Sequence, residues 1–217
     1  MIITVFGDVH GNLIALEKLF EIEKFETDLF ISHGDIVNYG PWSNECVSFL
    51  ENQKNCKLLK GNHEKYFIDG SYGGENIIAR SFFDICFENF DDSNKKIIAN
   101  YNDFYELEDF KIQHTIFDKY IFADTDISTN LITKNQIIGH SHQQFERDLT
   151  GFKIFNTGSV GQNRNFINQS NYLKIDTETN QVFLKNFIHN IDALIDQMKI
   201  EKYPEICTNY YFSKKRI

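Results

Sequence analysis

The chain has 217 residues, which is the length of one domain or of one domain with a sizeable insertion. Its 41% hydrophobic and 24% charged residues predict a packed core and exclude wholesale disorder. The net charge of −9 makes duplex DNA and anionic membranes poor electrostatic partners, whereas a phosphate substrate stays open because bound cations can reverse the field locally.

Cysteine usage and the first residues bear on the compartment. The cysteines form no C-x-x-C pair, so we expect reduced thiols rather than a zinc knuckle or a disulfide framework. The opening apolar run has no basic region or A-x-A-like cleavage site, and no segment reaches the roughly 20 apolar residues that span a bilayer. We therefore expect a cytoplasmic protein without a signal peptide or a membrane span.

The first sixty residues alternate between strand and helix patterns. Residues 2–6 are β-branched or aromatic, which is typical of a buried strand. From Asn12, a favourable N-cap, apolar residues recur at helical spacing. The alternation continues with a strand at 29–31, a helix at 43–51 and a strand at 56–59. This order is the rhythm of parallel β-α-β units.

Residues 66–109 interrupt the alternation with two helical patterns, at 75–87 and 93–107. Phenylalanines dominate the first of the two patterns. We predict a helical insertion here, and two roles stay open for it. The insertion is either a cap that contacts substrate or a helical pair whose aromatic stripe fills out the core.

The last half of the chain returns to strand patterns and closes with a helical one. No internal repeat at solenoid periods accompanies them. Strands are predicted at 110–113, 119–122, 136–138, 152–155, 172–175 and 182–188, and a helix is predicted at 192–199.

Five apolar runs each end in side chains that are suited to binding metal. Sites in open α/β sheets assemble in the crevice beyond the carboxyl ends of strands, so these side chains can converge although they are scattered along the chain. In chain order the candidates are Asp8 with His10, Asp35, Asn62, His114, and His140 with His142.

The chemistry of these donors narrows the choice of metal. Oxygen ligands with imidazole nitrogens, and without thiolate, suit Mn, Fe, Zn or Co rather than a structural zinc cage. Asp8 and Asp35 bring two negative charges and a bridging hydroxide a third, so two divalent ions would leave a site of roughly +1. Such a site can attract phosphate to an acidic protein.

The candidate donors lie in five short blocks: Asp8-Val9-His10-Gly11-Asn12, Gly34-Asp35, Gly61-Asn62-His63-Glu64, His114 and Gly139-His140-Ser141-His142. In order and spacing they resemble the D-x-H, G-D, G-N-H-[D/E], H and G-H-x-H blocks of calcineurin-like metallophosphoesterases. The resemblance covers about the first 190 residues. Residues 34–41 and 156–162 are further similar to the small bacterial and archaeal phosphodiesterase-like branch.

This resemblance implies a fold, two cofactors and a ligand set. The fold is a four-layer αββα sandwich, in which helices flank two mixed β-sheets. Residues 1–217 would form it as one domain with the helical insertion at about 66–109. The cofactors are two divalent transition-metal ions, with Mn or Fe favoured. The implied ligands are Asp8, His10 and His142 for one ion and Asn62, His114 and His140 for the other, with Asp35 bridging the two.

The resemblance also implies how the site works. A metal-bridging hydroxide attacks the phosphorus, and His63, which is not a ligand, stabilises or protonates the departing oxygen. Asn12, Asn38 and Arg164 are candidate substrate contacts. Protein phosphatases of this superfamily carry an arginine after the G-D block, where Asn38 and Tyr39 stand here. This departure argues against a Ser/Thr protein phosphatase.

Three further positions lie outside the family pattern. His33 and His189 match no block, so we expect structural roles for both. Thr115 follows His114, where small family members often carry Gly or Ala. The surroundings of His114 are therefore expected to be remodelled.

The predicted reaction is hydrolysis of a phosphodiester or a phosphomonoester, with the diester favoured by the resemblance. A small phosphate ester or a nucleotide-type molecule is the expected substrate, without duplex nucleic acid or membrane as a partner. Two alternatives stay open. One is a catalytically weak metal-binding scaffold that binds a protein partner. The other is a nuclease on single-stranded ends, which needs a groove with basic and aromatic residues.

Overall fold

The computed structural model describes residues 1–127 and 132–217, which form ten strands and seven helices. The strands are β1 (Ile2–Phe6), β2 (Leu29–Ser32), β3 (Cys56–Leu58), β4 (Phe104–Glu106), β5 (Phe110–Gln113), β6 (Asn135–Ile138), β7 (Phe145–Asp148), β8 (Lys153–Asn156), β9 (Gln169–Asp176) and β10 (Gln181–Ile188). The helices are α1 (Leu13–Glu23), α2 (Ser43–Glu51), α3 (Asn62–Asp69), α4 (Ile77–Glu88), α5 (Asp92–Ala99), α6 (Ile191–Ile200) and α7 (Glu205–Phe212).

The strands form two five-stranded sheets, and both are mixed. The first has the order β10-β9-β1-β2-β3, in which β1, β2 and β3 run parallel and β9 and β10 run antiparallel to their neighbours. The second has the order β4-β5-β6-β8-β7, in which β5, β6 and β8 are parallel and the two outer strands are antiparallel. The parallel strands of each sheet therefore carry the loops at one edge.

The two sheets pack face to face through alternate side chains. Ile3 and Val5 of β1 are fully buried against Ile112 of β5 and Ile137 of β6. Because strand side chains alternate between faces, the neighbouring residues point to the opposite layers. Burial of each such aliphatic side chain contributes about 1.5–3 kcal/mol of hydrophobic free energy, so this inter-sheet layer holds both sheets in register.

Helices cover the outer face of the first sheet. Asn12 caps α1, with its side-chain oxygen accepting from the N–H of Ala15 at 3.1 Å, as predicted. Leu16 and Leu19 of α1 are fully buried in the same cluster as Phe6 and Phe30 of the sheet. On the outer face of the second sheet the covering side chains are isoleucines 116, 121, 127 and 132. The predicted fold of two mixed sheets flanked by helices is confirmed.

Several predicted elements differ from the structure. The prediction of a strand at 119–122 is wrong, because these residues form neither strand nor helix, although Ile121 is buried on the outer face of the second sheet. The helix predicted at 93–107 ends at Ala99, and β4 follows it and pairs with β5. Helices α3 and α7 and strands β4 and β7 were not predicted, since short elements leave little periodic signal.

The helical segment serves the core with one face. Phe82 is fully buried and its ring meets Tyr211 of α7 edge-on, with ring centroids 5.9 Å apart. Phe67 makes similar contacts with Phe83 and Phe90. These contacts agree with the core-filling role of the aromatic stripe. That residues 66–109 are an insertion within a single domain stays a prediction.

Two sequence features can be compared directly with the structure. All four cysteines are free thiols, and three of them are buried. Within the described residues, the helices are too short or too polar to cross a membrane.

Candidate metal centre

The candidate ligands meet at one edge of the sandwich, where five strands end. Asp8 and His10 follow β1, Asp35 follows β2 and Asn62 begins α3 after β3. On the facing sheet, His114 follows β5, and His140 and His142 follow β6. The structure thus brings all seven predicted ligands together, which is what their position at strand ends predicts.

One group of donors consists of Asp8, His10 and His142. The Nε2 atoms of the two histidines lie 3.1 Å apart. Asp8 Oδ1 lies 3.3 Å from His142 Nε2 and 3.7 Å from His10 Nε2. All three side chains are buried, so three donor atoms converge on one small space away from water.

The two Nε2 atoms turn lone pairs towards Asp8 when each ring carries its proton on the other nitrogen. His142 Nδ1 donates to the carbonyl of Gln162 at 2.7 Å, and His10 Nδ1 lies 3.3 Å from the carbonyl of Val37. With the ring protons there, both Nε2 atoms present lone pairs. Asp8 Oδ1 is buried and has no hydrogen-bond partner among the described residues. Facing acceptors repel each other unless a cation lies between them, so this donor set fits a divalent metal ion.

The second group consists of Asn62, His114 and His140 around Asp35. His114 Nε2 lies 2.9 Å from Asn62 Oδ1, 3.0 Å from His140 Nδ1 and 3.2 Å from Asp35 Oδ2. Burial acts to lower the pKa of His114, but the carboxylates of Asp35 and Asp8 and the hydrogen bond with Asp35 raise it to about 9. Here a proton on Nε2 satisfies the acceptors that a metal ion would otherwise join.

Asp35 lies between the two groups. Its Oδ2 is 3.2 Å from His114 Nε2 and 3.9 Å from His10 Nε2. Its other oxygen accepts the backbone N–H of His63 at 2.9 Å, at the start of α3. The carboxylate is therefore fixed through one oxygen and presents the other to both groups.

The pKa values of the other donors favour the protonation states that bind metal. Burial lowers the pKa of His10 well below its usual range and that of His140 to about 3, so both rings are neutral at pH 7. Burial opposes ionisation of Asp8 and Asp35, yet the imidazoles of His142 and His114 hold the pKa of each carboxyl well below its usual range. Neutral imidazoles and ionised carboxylates are the forms that bind metal.

The backbone at the ligands adopts the left-handed region. The φ angles are 47° at Asp8, 50° at His10, 54° at Asp35, 65° at His140 and 57° at His142. Residues other than glycine rarely adopt such angles, although Asp, Asn and His tolerate them best. Strain of this kind persists where the surrounding structure over-determines it, and it concentrates at functional sites.

Glu64 supplies much of that surrounding structure. Its buried carboxylate accepts the backbone N–H groups of Asp35, Ile36 and Gly61 at 2.7 Å each, and that of Val37 at 3.2 Å. The same side chain caps the first turn of α3. It therefore ties the loop after β2 to the helix that carries Asn62 and His63.

Two glycines in the motif blocks are required by close packing. A Cβ at Gly61 would lie 2.1 Å from Asp35 Oδ1, and one at Gly139 would lie 2.4 Å from Asp8 Oδ2. The Gly139 Cβ would also meet the ring of His33 at 2.0 Å. Any side chain at either position would displace a candidate ligand. These clashes explain the glycines of the G-N-H-E and G-H-S-H blocks.

His63 faces the donors, and one of its ring nitrogens lies within 4.8 Å of donor atoms of His10 and Asp35. Its Nε2 lies 3.9 Å from Asp35 Oδ2, and its Nδ1 lies 2.8 Å from Asn38 Nδ2. Because the Asn38 amide donates to Nδ1, the ring proton resides on Nε2, the atom that faces the site. Burial lowers the pKa of His63, which keeps the ring neutral at pH 7.

The predicted substrate contacts fall in three different places. Asn38 holds His63, as described, and Arg164 is exposed and lines the cavity beside the donors. Asn12 is fully buried; it caps α1, and its amide nitrogen lies 3.2 Å from the Gly161 carbonyl and 3.1 Å from His189 Nε2. The structure does not bring Asn12 into the cavity, and we infer that it fixes the loop after β1.

Two histidines outside the donor groups are engaged elsewhere. His33 Nε2 lies 2.8 Å from Thr157 Oγ1, and the ring packs against Gly7 and Gly139. His189 Nδ1 lies 2.9 Å from Ser170 Oγ. Both side chains are buried, in agreement with the structural roles expected for them.

Sequence reasoning overlooked some residues around the donors. Glu64 stands in a quoted block, but its part in holding the loop after β2 depends on three-dimensional contacts. Tyr120 stacks on His140 with ring centroids 3.9 Å apart, and Tyr66 lies edge-on to His63 at 5.6 Å. The tyrosines lie in irregular or short elements, where no periodic signal marks which face they take.

The family model that matches this chain is that of the calcineurin-like phosphoesterases, over residues 1–184. An uncharacterised protein of Methanocaldococcus jannaschii is 27% identical over 236 residues, covering 94% of both chains. A symmetrical bis(5′-nucleosyl)-tetraphosphatase of Coxiella burnetii is 35% identical over 71 residues, which cover 32% of this chain and 24% of that protein.

A solved structure shares the whole fold. The metallophosphoesterase of Sphaerobacter thermophilus superimposes with a TM-score of 0.81 at 23% identity, covering 98% of each chain. At this level of identity the likeness concerns the fold alone.

Proposed function

This chain belongs to the calcineurin-like phosphoesterase family and is a metal-dependent phosphoesterase, and we propose that it hydrolyses phosphodiester bonds with two divalent ions held side by side. The observation that carries the proposal is the arrangement of the donors. Two groups of donor atoms lie on either side of Asp35 Oδ2, and in one of them Asp8 Oδ1 and two imidazole nitrogens lie within 3.7 Å of one another.

The residues divide into metal-holding and substrate-facing roles. Asp8, His10 and His142 would hold one ion, Asn62, His114 and His140 the other, and Asp35 would contact both. Ions bound there supply positive charge for the phosphoryl oxygens and lower the pKa of bound water. Mn or Fe is the favoured pair of candidates, because hard oxygen donors are mixed with imidazole and thiolate is missing from the set.

His63 serves the departing oxygen in this proposal. Its Nε2 carries the ring proton, as the contact with Asn38 requires, and it faces the space in front of Asp35. A neutral imidazole with its proton on that atom can donate it as the ester bond breaks. Asn38 acts through His63 and fixes the position of that proton.

The expected substrate is a small phosphate ester of nucleotide type. The preference for diesters depends on the similarity of residues 34–41 and 156–162 to the phosphodiesterase-like branch. The partial match to a bis(5′-nucleosyl)-tetraphosphatase supports a substrate that contains nucleoside and phosphate groups. A scaffold without catalysis is disfavoured, since every ligand position and His63 are filled and converge.

Hydrolysis of two chromogenic esters tests the proposal. Bis-p-nitrophenyl phosphate is a diester and p-nitrophenyl phosphate a monoester, and both release p-nitrophenolate. We expect faster turnover of the diester with Mn²⁺ and loss of turnover with chelator. The Asp8→Asn variant, which weakens one donor group, should require more Mn²⁺ for half-maximal rate.

Each alternative has a distinct result. A preference for the monoester would overturn the diester assignment and leave the phosphoesterase intact. One bound ion per chain at full activity, measured by elemental analysis, would overturn the two-ion site. Two bound ions without turnover of either ester would favour the scaffold.

A further inference from the structure

A cavity adjoins the donor groups on the side of the helical segment. Its volume is about 860 Å³, and Asn62, His63, His114 and His140 form its floor. Volumes of about 300–1,000 Å³ are typical of sites that enclose small organic ligands. A phosphoryl group alone would leave most of this space unfilled.

One wall of the cavity is aromatic. Tyr66 and Tyr72 line it, with ring centroids 5.1 Å apart. Tyr66 also lies edge-on to His63 at 5.6 Å, so this wall begins one ring away from the residue that faces the departing oxygen. Tyr72 is held from behind by Phe83, at 6.0 Å, and by the guanidinium of Arg80, at 5.3 Å from its ring.

A third tyrosine lines the cavity from the facing sheet. Tyr120 stacks on His140 through one ring face, with the planes inclined by 22°. The residue is 54% exposed, so much of its ring is open to a ligand. An aromatic ring that is left exposed over a buried polar site is costly to hydrate and is a suitable platform for a planar group.

The cavity also carries a free cation. Arg164 lines it, and within residues 1–127 and 132–217 it forms no ion pair. Burial raises the pKa of Tyr39 and of Tyr120, and the positive charge of Arg164 acts against that rise at both. A guanidinium at this position can pair with a non-bridging oxygen of the phosphate.

We propose that this cavity binds the base of a nucleotide ester against Tyr66, Tyr72 and Tyr120, with Arg164 on its phosphate. The inference rests on the proposed function, because it takes the phosphate of the ester to lie at the donor groups. It assigns the base of that nucleotide to a place in the cavity, because a planar aromatic group matches three tyrosine rings better than an alkyl or sugar group does. It also gives the helical segment a role in binding substrate besides its role in the core.

The test compares two diesters with the same leaving group. Methyl p-nitrophenyl phosphate and the p-nitrophenyl ester of thymidine 5′-monophosphate differ only in the group that stays on the phosphorus. The Mn²⁺-loaded protein should show a kcat/KM at least about tenfold higher for the thymidine ester, in line with the stacking of one base. In the Tyr72→Leu/Tyr120→Leu double variant, the ratio of the two values should fall to about one.

A binding measurement separates recognition from turnover. Calorimetric titration in chelator should give tighter binding of thymidine 5′-monophosphate than of methyl phosphate, and the double variant should lose the difference. The Phe183→Ala variant, which removes an aromatic ring that is 46% exposed on β10, serves as the control and should keep both preferences.

The outcomes distinguish this inference from the proposed function. Equal kcat/KM values for the two esters, together with equal affinities for thymidine 5′-monophosphate and methyl phosphate, would overturn the aromatic site and leave the phosphodiesterase in place. A double variant that keeps the preference would do the same. If neither ester is hydrolysed while thymidine 5′-monophosphate still binds through the tyrosines, the diester function fails and the base site stands.

Discussion

The site has two sides that present similar donors on different supports. The aspartate side is formed by the loops after β1, β2 and β3, and the histidine side is formed by the loops after β5 and β6. On the aspartate side the carboxylate of Glu64 accepts four backbone N–H groups. On the histidine side Asn156 donates to the Gly139 carbonyl at 2.7 Å and lies 3.0 Å from Ser141 Oγ. One support is a buried carboxyl group, and the other is a neutral amide.

The two sides also differ in the protons that their donors carry when no metal is bound. Asp8 and His10 are at most 1% exposed, and His10 Nε2 lies 3.1 Å from Nε2 of His142, which belongs to the histidine side. On the histidine side, His114 carries a proton that already satisfies Asp35 and Asn62. Donor geometry and proton occupancy are therefore separate properties of the site. Left-handed backbone supports donors on both sides, whereas the proton is carried by His114 of the histidine side.

Removal of His63 should have the largest effect and should separate catalysis from ligand holding. In His63→Ala we expect kcat to fall by about 10²–10⁴, the range for loss of a positioned proton donor. Elemental analysis should still find the full metal content, because His63 belongs to neither donor group. Asn38→Ala should lose less activity, since it removes only the partner that fixes the His63 proton. A variant of His63 that loses metal would place this residue among the ligands.

Replacement of Glu64 and of Asn156 tests whether the two loop supports stabilise the protein to different extents. Glu64→Gln should cost about 3 kcal/mol or more of the free energy of unfolding, because an amide leaves several of the four N–H donors unpaired. Asn156→Ala should cost about 2 kcal/mol, since fewer groups lose a partner. Urea unfolding in chelator measures both. Equal losses would show that the Glu64 carboxyl group contributes no more to the free energy of unfolding than the Asn156 amide does.

Metal binding should release a proton from the histidine side. The pKa of His114 is about 9 in the metal-free protein, so at pH 7.5 its ring is protonated, and a metal ligand must give that proton up. Apparent affinity should therefore rise with pH until about pH 9. Calorimetry in buffers of different ionisation enthalpy measures the released proton. His114→Ala should release about one proton fewer, and an unchanged count would contradict the assignment.

The smallest expected effect is a pH dependence of stability from His189, which contacts Asn12 on the aspartate side. His189 Nε2 faces the Asn12 amide, and burial lowers the pKa of His189 to about 4. The unfolded chain, with a pKa near 6.5, takes up protons first, so stability is full above pH 6.5 and is lost as pH falls towards 4. Between pH 7 and pH 5 we expect His189 to account for a loss of about 2 kcal/mol in the free energy of unfolding.

The matched variant isolates that contribution. His189→Gln keeps a polar side chain that does not titrate, so its unfolding free energy should depend less on pH over this interval. Both proteins are compared in chelator, because metal would stabilise the site at higher pH. A pH dependence that is identical in the two proteins would rule out His189 as its source.

The sequence predicted the fold class and the meeting of the donors because both follow from strand ends. Asp8, Asp35 and His140 each follow an apolar run by a few residues, and parallel strands bring such positions to one edge. The mixed character of the sheets and the flanking helices, expected from the family resemblance, were confirmed. The roles of the individual ligands stay predictions, although their convergence agrees with them.

The sequence could not reveal contacts that depend on packing between distant segments. Tyr120 lies in a stretch without strand or helix, and its place over His140 follows from burial of Ile121 on the sheet. Helix α7 has only eight residues, so its apolar face gave too little periodicity to be recognised. The support by Glu64 likewise arises from four backbone groups in two loops.

The left-handed backbone at the ligands has a consequence for how such a protein changes over generations. At Asp8, His10, Asp35, His140 and His142, replacement by glycine removes both a metal donor and a source of backbone strain. Selection for stability alone would therefore favour loss of the site, and only selection for its chemistry opposes that drift. An inactive descendant of this chain should be recognised by glycines at those positions and by a higher melting temperature without metal.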